Sequence, residues 1–89
     1  MIITRDYLEL LGADCEELSF FDMEWPEGAE VTLENCRRAA AIELSLTWLA
    51  ARVFKIAAWT RYMSLLGPAG QGRAEAFYTV WQECQGSIK

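Results

Sequence analysis

Residues 45–66 read SLTWLAARVFKIAAWTRYMSLL, and the fold turns on how this stretch is understood. Leu46, Leu49, Val53, Ile56 and Met63 recur at steps of three and four, which aligns them along one side of a helix. Ser45 stands where a hydroxyl can cap the first free amides, and Gly67-Pro68 follows as a stop signal. The spacing predicts one long central helix over about 46–66.

Upstream, Thr4 is a fair N-cap for a short helix through Leu11, with Tyr7, Leu8 and Leu11 as its apolar side and Gly12 at the position where a left-handed residue closes a helix. Asp14 with Glu17 three residues later has the form of a capping box, opening a second helix in which Leu18, Phe21 and Trp25 point one way until Pro26 stops it. Pro26-Glu27-Gly28 is a turn signal, and Thr32 then caps a third helix from Leu33 to about Ile42, with Leu33, Cys36, Ala40 and Leu44 at helical spacing. Downstream, the glycine-rich run to Gly72 reads as a flexible connection. Arg73 to Gln85 reads as a last helix with Phe77, Val80, Trp81 and Cys84 on one face, closed by Gly86. Strand signals are weak, since Gly28 to Thr32 is too short for more than an edge fragment. The expectation is an all-α fold, a compact bundle of four to five helices in a single domain over residues 1–89.

An apolar fraction of 53 % with four Trp, four Phe and three Tyr supplies bulky core material, and a chain of this size can bury roughly 60 to 65 % of its unfolded surface. Cys15, Cys36 and Cys84 are an odd set without a CxxC pair, and the chain has no His. Neither a disulfide framework nor a usual zinc site is encoded, so the cysteines read as reduced, buried thiols. The start lacks the basic end and long apolar run of a signal peptide. Glu43, Arg52 and Lys55 interrupt the best candidate for a membrane span. A soluble, cytoplasmic protein is expected.

Charge is distributed unevenly. Residues 1–34 carry one base against ten acids, −9, whereas residues 35–89 carry seven bases against three acids, +4. Such a split argues for electrostatic pairing within the chain or with a partner. The acidic run Asp14, Glu16, Glu17, Asp22, Glu24, Glu27, Glu30 and Glu34 is the candidate partner-binding surface, suited to a basic groove, while its bland alternative is a solvated face. A second candidate face, interleaving aromatics with cations, is Trp48, Arg52, Lys55, Trp59 and Tyr62. Its alternative is rings packed between helices, with Arg52 and Lys55 reaching toward the acidic half. Direct nucleic-acid binding through Trp48, Arg52, Lys55, Trp59 and Arg61 is disfavoured by the acidic balance of the whole chain.

No catalytic constellation is visible. Gly67-Pro68-Ala69-Gly70-Gln71-Gly72-Arg73 has neither a preceding strand nor a following GK[ST], so it does not read as a phosphate loop. A cysteine nucleophile would lack an activating His, and the carboxylate spacing does not match an EF-hand. No cofactor, no metal and no enzymatic activity is expected.

The stretch Glu24-Trp25-Pro26-Glu27-Gly28-Ala29-Glu30-Val31-Thr32-Leu33-Glu34-Asn35, continuing through Arg38-Ala39-Ala40 to Leu44-Ser45-Leu46-Thr47-Trp48-Leu49-Ala50, resembles a module of small phage and prophage proteins. That pattern reads approximately W/F-P-x-G-A-x-V-T-x-E-N, a helix, then G-L-D-L-D-W-L-A. This chain places Glu43 where a Gly would end the helix and Ser45 and Thr47 where Asp is usual, which implies a less sharp turn. In size, charge and lack of catalytic equipment the chain also resembles anti-CRISPR proteins as a type. The resemblance implies a bacterial host cell and a non-catalytic inhibitor docking on a host protein or ribonucleoprotein complex with a basic surface. The alternative is a self-associating helical scaffold whose partner is a second copy of the chain.

Overall fold

The computed structural model describes residues 2–84, and the stretch 45–66 is two helices instead of one. The chain runs β1 (Ile2–Ile3), α1 (Arg5–Leu10), α2 (Cys15–Glu24), β2 (Ala29–Glu30), α3 (Leu33–Ala41), α4 (Leu46–Val53), α5 (Ile56–Leu65), a 3-10 turn (Pro68–Gly70) and α6 (Arg73–Glu83). The fold is mostly helical, as expected, but among the described residues it has six α-helices and a small ribbon. The closure of the last helix by Gly86 lies outside the described residues.

Phe54 and Lys55 both take extended backbone angles, and this ends α4 and restarts the chain as α5. The consequence is visible between Thr47 and Tyr62. On a continuous helix fifteen residues span about 22 Å, yet the two hydroxyls lie 2.8 Å apart in a hydrogen bond. The break decides what is buried. Ile56 and Met63, expected on the core side, are 83 % and 45 % exposed, while Phe54 and Tyr62 are almost completely enclosed. Phe54 lies 5.2 Å from Phe77 and 6.1 Å from Tyr62, centroid to centroid. Burying two such rings contributes about 1.5–3 kcal/mol each, whereas leaving α5 without a side-chain cap at Lys55 costs about 1 kcal/mol. The rings win.

The central element is therefore α6, not 46–66. It packs against α3, α4 and α5 and buries Ala74, Ala76, Phe77, Val80 and Trp81, with Phe77 stacked on Trp81 at 5.9 Å. The connection before it is a defined turn, closed by the Gly67 amide donating to the Gln71 carbonyl at 2.8 Å.

Helix starts follow the caps. Thr4, Asp14, Thr32 and Ser45 each accept a hydrogen bond from the amide three residues on, satisfying donors that have no partner inside the helix. The ribbon was not expected at the N-terminus: Ile2 pairs with Glu30 and Ile3 with Ala29, antiparallel. Gly28 makes this close approach feasible. Its φ is +94°, and a β-carbon there would stand 2.7 Å from the Ile2 Cγ2 and 3.1 Å from the Ile3 carbonyl.

Two helices close in the same way. After α1 the Gly12 amide bonds Glu9 and the Ala13 amide bonds Leu8; after α3 the Glu43 amide bonds Ala40 and the Leu44 amide bonds Ala39. This is the paired closure that requires a left-handed residue just past the helix. Gly12 supplies it at φ +99°, but after α3 it is Glu43 at φ +64°. The turn before Ser45 is therefore as sharp as a glycine would make it, contrary to expectation. Of the three cysteines expected to be buried, only Cys36 is; Cys15 is exposed and Cys84 half-buried. Among the described residues no helix is long and apolar enough to cross a membrane.

A left-handed non-glycine residue costs about 1–2 kcal/mol. Glu43→Gly is accordingly expected to stabilise the protein by about 1 kcal/mol in denaturant unfolding, and an unchanged midpoint would contradict the strain. Thr47→Val removes the partner of the buried Tyr62 hydroxyl and is expected to destabilise by about 1–3 kcal/mol. Tyr62→Phe, which leaves only the half-exposed Thr47 hydroxyl to find water, should be milder.

Candidate functional site

Of the eight acidic residues singled out in the sequence, three are engaged within the chain. Asp14 caps α2 through Oδ1, 2.9 Å from the Glu17 amide. Asp22 pairs with Arg5 at 3.0 Å, and Glu24 is bound by the Arg38 guanidinium. Glu16, Glu17, Glu27, Glu30 and Glu34 remain, and among the described residues they form no ion pair. The basic half does little to neutralise them. Arg37 pairs with Glu75 at 2.7 Å and Arg61 with Glu83 at 3.1 Å, both inside that half, so Arg38 alone reaches across to the acidic one among the described residues. These pairs hold the Glu75 and Glu83 carboxyls below the usual carboxylate range, chiefly through the arginine hydrogen bonds.

The aromatic and basic face is likewise divided. Tyr62 is fully buried, packed 5.9 Å from Trp59. Arg52 and Lys55 are exposed. They do not reach toward the acidic residues: Arg52 lies over the Trp48 ring, 5.3 Å from its centroid. Trp59 borders a hollow with Ala51, Phe54 and Ile56, whereas Trp48 lines a separate cleft. The break at Phe54 and Lys55 is the cause, because it separates residues that a single helix would align.

That cleft, of about 90 Å³, is where the residues converge. Its bulky walls are Phe21 of α2, Trp25 just past the end of that helix, and Leu44, Trp48 and Leu49 around the start of α4. Ala13, Ala29 and Ala39 also line it, with side chains too small to fill it. Asn35 fixes one side: its Oδ1 accepts from the Trp25 indole at 3.3 Å and its Nδ2 donates to the Glu30 carbonyl at 2.9 Å. Two of the unpaired carboxylate residues, Glu17 and Glu30, line the cleft. Burial raises the Glu17 carboxyl above its ordinary value, with Asp14 and Glu16 adding to the shift.

Comparison with protein-family models, curated proteins and solved structures finds no match. What the site can do must come from its own chemistry. It offers an apolar recess, two acidic wall residues and further unpaired carboxylates close by in the chain. Cys36, also in the lining, is held as the thiol because burial pushes its pKa up to about 11, which does not suit a nucleophile. Among the described residues no group of three His, Cys, Asp or Glu is arranged to hold a metal ion. The cleft was not legible in the sequence, because its most telling residues are the alanines that leave it open.

Glu17 gives the cleft a pH signature. Its folded pKa is raised, so the native state binds the proton more tightly than the unfolded chain does, and the ionised carboxylate opposes folding at neutral pH. Glu17→Gln is expected to raise the melting temperature at pH 7. The difference from wild type should vanish as pH falls below the unfolded carboxylate value of about 4.3. Glu75 and Glu83 run the other way, since their lowered pKa values give stability present above that value and lost as pH falls through the folded ones. Thermal melts of both proteins at matched pH check the assignment, and a pH-independent difference would contradict it.

Proposed function

We propose that this chain is a non-catalytic protein-binding module that docks through its acidic N-terminal half on a partner with a basic surface. The observation that supports this most directly is the set Glu16, Glu17, Glu27, Glu30 and Glu34, which carry no ion pair among the described residues while nearby arginines are engaged elsewhere. Surface carboxylates left unneutralised attract a basic partner over distance and accelerate encounter, an effect that salt suppresses. The resemblance of residues 24–50 to a phage and prophage module gives this reading its specific form: an inhibitor of anti-CRISPR type, acting in a bacterial cell on a defence complex with a basic surface.

A second reading is self-association. It is favoured by the apolar side chains left outside on α5, where Ile56, Met63 and Leu65 are exposed. The two readings differ in their response to salt, since apolar self-association does not weaken as ionic strength rises.

Replacing Glu16, Glu27 and Glu30 by Lys should leave the helical content unchanged, because all three are exposed and unpaired among the described residues. Capture of basic proteins or ribonucleoprotein from a bacterial lysate, seen with the wild type at low salt, should be lost in this variant. Equal capture by both would overturn the acidic docking surface, and a salt-insensitive dimer in light scattering would support the second reading.

A further inference from the structure

The acidic residues explain attraction but not what is recognised, and the cleft beside them is otherwise unused. Its lining is almost wholly apolar, yet Glu17 and Glu30 stand in it and Glu16 and Glu34 are chain neighbours of lining residues. Arg52 of α4 is engaged on the ring of Trp48, one of the cleft's walls. An apolar recess with an acidic border complements one kind of segment, an apolar side chain flanked by Lys or Arg. Size narrows the choice. The cleft holds about 90 Å³, and a cavity of about 150 Å³ is what admits a benzene ring. A single branched aliphatic side chain fits better than an aromatic one.

Resting on the docking function proposed above, we infer that the cleft between α2, β2 and α4 receives a leucine-like side chain from a basic segment of the partner protein, while Glu17 and Glu30 engage the flanking cations. The apolar anchor supplies discrimination and residence, and the charges supply encounter. Trp25 and Trp48 are then recognition walls instead of simple core, which accounts for their being half-buried while Trp81 is enclosed.

The test uses the wild-type protein with methyl-labelled leucine and valine. Acetyl-Lys-Lys-Leu-Lys-Lys-amide is titrated against its Leu→Ala counterpart. The expected result is a saturable shift of the Leu8, Leu44, Leu49 and Val31 methyls, with the alanine peptide at least tenfold weaker. Ala13→Leu, which fills the cleft without changing charge, should reduce both peptides to the same weak affinity while its circular dichroism stays native. Equal affinity of the wild type for the two peptides would overturn the inference and leave acidic docking standing. No response to either peptide would overturn both. Concentration-dependent shifts of the same methyls without peptide would assign the cleft to a second copy of this chain and overturn the inference as well.

Discussion

The insertion of Phe54 into the space beside Phe77 is the constraint on which the rest of the molecule depends. To place that ring the chain gives up helical backbone at Phe54 and Lys55, and α5 turns back so that Tyr62 meets Thr47. The return encloses α6, whose Val80 and Trp81 would otherwise have water on one flank. A straight helix with aromatic and aliphatic residues spread around it has too many apolar directions for one interface. Dividing it gives each half a face it can bury.

Electrostatics plays a different part. The ion pairs among the described residues lie at the surface, and pairs of that kind contribute about 0–1 kcal/mol each. They do not decide whether the chain folds. They decide which charges stay available, because Arg37 and Arg61 are occupied by the few acids of their own half and Arg38 takes Glu24. The negative excess of the first third therefore survives folding largely intact, and its field is offset only in part.

How much of this was legible in the sequence follows the range of the interactions involved. Thr4, Asp14, Thr32 and Ser45 were readable as caps because a cap is a contact between residues three apart. Pro26 and Gly12 were readable because their backbone preferences are intrinsic. The break at Phe54 was not, since neither glycine nor proline marks it and its cause is a ring on α6. Glu43 hid its left-handed turn because its side chain does not advertise one. The ribbon depends on Gly28 letting Ile2 approach from the far end of the segment, and the acidic run could not reveal which of its members Arg5 and Arg38 would claim. For the site, the charge was visible and the recess was not, because a recess is a property of what three separated alanines fail to fill.

Ile3 lines the cleft, and β1 hydrogen-bonds the strand that carries Glu30. A change that loosens this pairing therefore also moves one wall of the recess. A fluorophore or surface tether is best attached where no residue lines that recess. The outer side of α5, none of whose residues border it, offers such an engineered position.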